Sequence, residues 1–247
     1  MKDFKVIGID PAPSKNSTIY DGEKFMQKDY VGLKDYIDKL NEKALICWDA
    51  PLTFPSIPKS KPKEYSPLYM RPIEYFFNYM EDITPPKGIS VLGYAGCSHW
   101  AISQYILGLP RLNNFSNSQS KYTLIADDSQ KVTKKSENGI YITEVHPALA
   151  MWMIIKKSKP TEDIINWKYK KSASARKEII KSLKAIKCFE EMPSIKNDDE
   201  LDAYIAWKLG SDWNENKGVS ILGNNETGSF LLPYNDVIFK AFKDFVK

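Results

Sequence analysis

"KALICWDAPL", residues 43–52, reads as a short buried strand that runs into an acid and then a proline. A strand needs only a stop at that point, and glycine or asparagine would supply one, so Asp49 asks for a second reason. The stretch "FKVIGIDPAP", residues 4–13, raises the same question at Asp10. "GIYITEVHP", residues 139–147, alternates as a strand does and also finishes on an acid, Glu144, close to a proline. Reactive groups in α/β sheets collect beyond strand ends, because the strands hold them rigidly while the loops leave them open to substrate.

Working outward, "STIYDG" and "EKFMQKDYV", residues 17–22 and 23–31, predict two strands joined at an Asp-Gly turn. Leu33, Tyr36, Ile37 and Leu40 recur at helical spacing before the strand at 44–48, so the chain opens βββαβ. Residues 53 to about 135 read as an insertion. It begins with the proline- and lysine-rich "TFPSIPKSKPKEYS" (53–66), a loop or lid carrying Lys59, Lys61 and Lys63. Two aromatic helical patterns follow, "PLYMRPIEYFFNYMED" and "SHWAISQYILG", separated by a strand-like "ISVLG" (89–93). After the strand ending at Glu144, helices are predicted over 148–157, 174–191 and 198–210, the last capped by Asp198 and ended by Gly210. "VSIL" and "GSFLLP" suggest a final strand pair before a helix in "NDVIFKAFKDFV".

Composition narrows the chemistry. The 247 residues and 43% apolar content suffice for one well-buried core. The net charge of +4 is too mild to announce a polyanion partner, but it is segregated. Residues 156–187 hold eleven Lys/Arg against three acids, so the rest of the chain is net acidic. Cys47, Cys97 and Cys188 are odd in number and lack CxxC spacing, which argues against a zinc knuckle and a disulfide framework and points to a reducing compartment. No apolar leader opens the chain and no run is long enough for a membrane span, so a soluble cytoplasmic protein without a membrane partner is expected. With only His99 and His146 available, a bound metal would be held by oxygen.

Asp199 and Asp202 lie three apart on a predicted helix, hence on one face, where like charges repel. Asp202 sits among apolar neighbours, a position for which Asp has poor propensity. A divalent cation would compensate. Mg²⁺ or Mn²⁺ takes hard oxygen ligands, and two such ions can activate a water and stabilise the leaving oxygen of a phosphodiester. Taken singly, Asp10 and Asp49 before their prolines read equally well as turn residues, and His146 before Pro147 as a loop residue with satisfied hydrogen bonds. The basic helix near 173–187 reads as a solvated face as readily as a phosphate tracker. In "GCSHW", Ser98 capping a helix explains the stretch better than a Cys/His nucleophile, since no acid is at hand to orient His99.

Together, "GID" (8–10), "WDAPL" (48–52), "TEVHPA" (143–148), "DELDAYIAW" (199–207) and "GSFLLP" (228–233) resemble the RNase H-like superfamily, RuvC-type nucleases in particular. More narrowly they resemble an uncharacterised family of predicted RNase H-fold nucleases. The resemblance implies a single α/β domain over 1–247, with a mixed central sheet flanked by helices and a mostly helical insertion over 53–135. It implies a metal-dependent nuclease that hydrolyses nucleic-acid phosphodiester bonds, DNA or RNA, by a two-metal mechanism. Asp10 would bridge Mg²⁺ or Mn²⁺, Asp49 would join it, Asp199 and Asp202 would complete the site, and Glu144 would be an added ligand or base. His146, Asp198 and Lys15 stand as candidates for supporting or substrate contacts; at Asp198 the narrower family often has histidine, which bears on metal preference. Likeness to resolvases that act as dimers raises a homodimer as a question. Two rival readings remain: a noncatalytic nucleic-acid-binding or interaction module on the same fold, and an actin-like-fold metabolite kinase. The kinase expects a second sheet domain and Gly-rich phosphate loops, and the chain has only 12 glycines.

Overall fold

The computed structural model describes residues 5–53, 70–93, 99–107, 122–130, 139–158 and 166–247. Residues 54–66 of the proline- and lysine-rich stretch, with Lys59, Lys61 and Lys63, lie outside the described residues, as do Cys97 and Ser98.

Strands β1 (Lys5–Asp10), β2 (Ser17–Tyr20) and β3 (Phe25–Lys28) form the expected antiparallel meander. The β2–β3 connection is a four-residue loop, tied by Asp21 Oδ1, which accepts from the Glu23 and Lys24 amides at 3.1 and 3.0 Å. Helix α1 (Tyr30–Asp38), capped by the Asp29 carboxylate, buries Leu33 and Ile37 and leads into β4 (Ala44–Trp48). β4 lies parallel to β1, and β6 (Ile140–Glu144) lies parallel to β4. The six-stranded sheet has the order β3-β2-β1-β4-β6-β5, where β5 is Tyr122–Leu124. The insertion therefore contributes an edge strand to the sheet, which its weak three-residue pattern did not announce. "ISVLG" joins no strand.

Every residue of β4 is buried, as expected for a parallel strand covered on both faces. Ile7, Ile9, Ile46, Trp48, Ile140 and Ile142 face one layer, with Leu33 and Ile37 of α1 and Ile102 and Ile106 of α3 (His99–Leu107). Val6, Leu45 and Cys47 face the other, where α4 (Pro147–Ser158) and α6 (Asp198–Asn214) pack. Two glycines bring α6 close to the sheet. A Cβ at Gly8 would lie 2.1 Å from the Ala203 carbonyl oxygen, and one at Gly210 would lie 2.3 Å from Cys47 Sγ. Gly210 thus lies inside α6, and packing rather than termination explains it. The cap also differs from expectation: Asn197 Oδ1 accepts from the Glu200 amide at 2.8 Å, and Asp198 is the first helical residue.

Helix α2 (Pro72–Tyr79) packs on the second sheet, an antiparallel pair of β7 (Val219–Asn224) and β8 (Gly228–Pro233), and on α7 (Asp236–Phe245). A parallel bridge from Val145 to Leu231 couples that pair to the end of β6. The basic segment forms α5 (Ala173–Lys184), which buries Ala175, Ile179 and Leu183 and leaves Lys177, Lys181 and Lys184 in solvent.

Candidate functional site at the strand ends

The β1–β4 ladder closes with the pair Ile9 and Trp48, and the Asp49 amide donates to the Ile9 carbonyl at 3.0 Å. One residue further along, Asp10 and Asp49 stand side by side. Side chains alternate along a strand, so both acids share the face of Val6, Gly8, Leu45 and Cys47, over which α6 lies. Helix α6 brings Asp202, only 1% exposed, near enough for its charge to act on Asp10.

Asp10 is 7% exposed, and among the described residues neither its carboxylate nor that of Asp49 has a hydrogen bond or ion pair. Burial pushes the Asp10 carboxyl well above the usual range, and the neighbouring Asp202 and Asp49 charges push it further. Burial likewise raises Asp49, to about 8, against the pull of Lys170. Asp202 is raised by burial and held down by Lys170 and Tyr169. The Tyr169 hydroxyl donates to Asp202 Oδ1 at 2.6 Å, and Lys170 Nζ stands 2.9 Å from Oδ2. Oδ2 is buried and has no partner with hydrogen-bond geometry, so Lys170 meets it as a charge rather than as an aligned donor.

The other acids separate from this trio. Lys15 Nζ lies 2.6 Å from both oxygens of Asp199 at the rim, which makes Lys15 a partner of Asp199 in this structure. Asp198 lies 3.5 Å from Arg176, whose Nη1 also donates to the Tyr169 carbonyl at 3.2 Å. Glu144 pairs in register with Trp48, one residue short of Asp49, and so has the opposite parity to the two strand-end acids. Its oxygens receive Arg71 Nη2 at 2.6 Å and Nη1 at 2.7 Å, and the Leu52 amide at 2.9 Å. Arg71 is fully buried, also binds Glu74 at 2.7 Å, and reaches Thr53 at 2.9 Å. Glu144 therefore works in a fork–fork ion pair that ties the segment after β4 to α2.

His146 Nδ1 accepts from the Leu149 amide at 3.3 Å at the start of α4, leaving Nε2–H to face the Ser90 carbonyl at 3.3 Å. Burial first, and the charge of Lys170 second, lower its pKa to about 4, so the ring is neutral at physiological pH. Both ring nitrogens serve the fold.

A cleft of about 450 Å³ opens over these groups. Asp10 and Asp49 lie in its wall, Lys168, Lys170 and Lys171 line another side, and Trp167 and Phe230 give it apolar surface. Sequence reasoning missed Arg71, Tyr169 and Lys170. Arg71 carried a signal in "RPIE", a proline at the first helical position with Glu three residues after Arg. "NWKYKK" also carried one, because buried Trp167 and Tyr169 alternate with exposed lysines.

All the donors are hard oxygen, and two of the carboxylates, buried Asp10 and half-buried Asp49, have no partner among the described residues, so the residues present fit Mg²⁺ or Mn²⁺ better than a softer metal. Among the described residues, no group of three or more His, Cys, Asp or Glu side chains is arranged to hold an ion as they stand. No helix among them is long and apolar enough to cross a membrane. Comparison of the chain with protein-family models, with curated proteins and with solved structures yields no match.

Proposed function

We propose that this chain is a metal-dependent nuclease with an RNase H-like core. One observation carries the reading: adjacent parallel strands set Asp10 and Asp49 side by side in a cleft, Asp10 buried and Asp49 partly so, with no hydrogen bond or ion pair to either carboxylate among the described residues. A fold gains nothing from such a pair on its own, because each carboxylate loses hydration and repels the other. Function is the ordinary reason to keep it. The order β3-β2-β1-β4, with acids at the ends of β1 and β4 and another on the late helix α6, supports the RNase H-like arrangement.

The reaction adds water across a P–O ester bond: the water oxygen joins phosphorus, and the ester oxygen leaves with a proton. Asp10 and Asp49 would hold Mg²⁺ or Mn²⁺, with Asp202 as the third carboxylate beside them. When bound, the ion supplies charge neutralisation of the phosphate and a more acidic water. The protein's own share is positioning. The sheet fixes Asp10 and Asp49, α6 fixes Asp202 through the close approach at Gly8, and the lysines at 168, 170 and 171 offer positive charge to a phosphate backbone.

The test is cleavage of labelled single-stranded, duplex and branched DNA and RNA in Mn²⁺, Mg²⁺ or EDTA. Asp10→Asn should abolish metal-dependent cleavage while its circular dichroism matches the wild type. Full activity in that variant ends the proposal. Binding that is equally strong in EDTA, with no cleavage under any metal, would mark a binding module instead.

A further inference from the structure

Among the described residues no side chain holds the Asp49 carboxylate, so it stands where its backbone puts it. That backbone is anchored on both sides. On the strand side, the Asp49 amide donates to the Ile9 carbonyl and the Val145 amide donates to the Trp48 carbonyl, both at 3.0 Å. On the far side, the Leu52 amide donates to Glu144 Oε2 at 2.9 Å, and the Thr53 hydroxyl accepts from Arg71 Nη1 at 2.9 Å. Ala50 and Pro51, between the anchors, line the cleft with Asp49, and the proline ring fixes one of the few torsions that separate the acid from the second anchor.

The second anchor is itself immobile. Arg71 is fully buried and all five of its side-chain N–H groups are used. Nε and Nη2 donate to Glu74 Oε1 at 2.9 and 2.7 Å, Nη1 and Nη2 donate to Glu144 at 2.7 and 2.6 Å, and Nη1 reaches Thr53. The start of β8 leaves room for the guanidinium, since a Cβ at Gly228 would lie 2.9 Å from Nε. The Ile73 amide donates to the Thr227 carbonyl at 3.0 Å, so the first turn of α2 is fixed to the same loop.

We propose that Arg71 and Glu144 are positioning residues for Asp49: through the Leu52 amide and the Thr53 hydroxyl they fix the exit of β4, and with it the carboxylate that would hold the ion. This rests on the metal-dependent reading above. It gives the acid at the end of β6 a role that its parity allows. Glu144 stands one residue short of Asp49 and acts on the segment that carries the ligand rather than on the ion. A carboxylate whose backbone is already ordered loses less freedom when it closes on a cation. Residues that orient metal ligands in this way change metal affinity about 10–100-fold when they are replaced.

The experiment measures Mn²⁺ affinity by calorimetry, with urea unfolding alongside, for Thr53→Val, Thr53→Ser, Glu144→Gln and Arg71→Lys. Thr53 is 1% exposed; valine keeps its shape and loses the hydroxyl, while serine keeps the hydroxyl and loses a methyl. Thr53→Val should weaken Mn²⁺ binding about tenfold, as should Glu144→Gln and Arg71→Lys, and should lower kcat for cleavage with KM for the nucleic acid within about twofold. Thr53→Ser should bind Mn²⁺ within about twofold of the wild type even though its stability falls, a separation that a merely structural role would not produce. Wild-type Mn²⁺ affinity in Thr53→Val, or a loss in Thr53→Ser as large as in Thr53→Val, would overturn the proposal and leave the nuclease reading standing. No Mn²⁺ binding to the wild type would overturn both. The two Thr53 variants decide the question even if Glu144→Gln and Arg71→Lys fail to fold.

Discussion

Asp49 and Glu144 both end strands of one sheet, yet replacing each by its amide should move stability in opposite directions. Asp49 is raised to about 8 by burial, so the folded chain holds a proton there that the unfolded chain has already lost. Its stability contribution is full at acid pH and drains away as pH rises from the ordinary carboxylate range through about 8. At about 1.4 kcal/mol per pH unit, keeping Asp49 ionised could cost up to ~6 kcal/mol. Water entering the cleft, where Asp49 is only half-buried, reduces the cost that Asp49→Asn relieves to about 2 kcal/mol at pH 8.5. Glu144→Gln acts the other way. It strips the charge from a fork held by Arg71 at 2.6 and 2.7 Å, leaves a buried guanidinium short of a partner, and should cost about 3 kcal/mol. Urea unfolding in EDTA at pH 5 and 8.5 measures both. Asp49→Asn should gain stability chiefly at pH 8.5, and Glu144→Gln should lose it at both. In thermal melts the same changes correspond to roughly 2–4 °C per kcal/mol for a chain of this size. If Asp49→Asn is destabilised at pH 8.5 as Glu144→Gln is, Asp49 is a structural acid and the argument from unneutralised charge fails.

Mn²⁺ must displace protons from the strand-end acids, so its affinity should rise about tenfold per pH unit between pH 6 and 8. Titrations in buffers of different ionisation enthalpy should show protons released on binding, and a flat pH profile would contradict the raised carboxyls. Gly8→Ala should cost about 3 kcal/mol in urea, because the added methyl meets the backbone of α6 at Ala203 and Trp207. The same variant should weaken Mn²⁺ binding, since α6 carries Asp202; unchanged stability would mean that the helix can move away freely.

The sequence alone determined the elements whose signals are local. Alternation and helical spacing announced the βββαβ opening, the strand at Ile140–Glu144, α4, α6, the β7–β8 pair and α7. Strand ends and helix spacing also put Asp10, Asp49, Glu144, Asp199 and Asp202 on the page as the acids to watch. Neighbouring residues competing for one role were harder to tell apart. Asn197 and Asp198 are both good caps, and only the backbone geometry gave the position to Asn197. Gly210 looked like a helix stop, and only the approach of Cys47 shows it as a contact point inside α6.

The tertiary structure decided which acid meets which cation. Five acids looked equivalent along the chain, but Asp199 went to Lys15, Glu144 to Arg71 and Asp202 to Lys170, while Asp10 and Asp49 received none. Those partners are 184, 73 and 32 residues away in sequence. Hydrophobic period fixes a strand or helix from a window of a few residues, because burial of one face is a local demand. Charge pairing depends on distance and burial in three dimensions, and both follow from how glycines let helices approach the sheet and which parity a strand end presents.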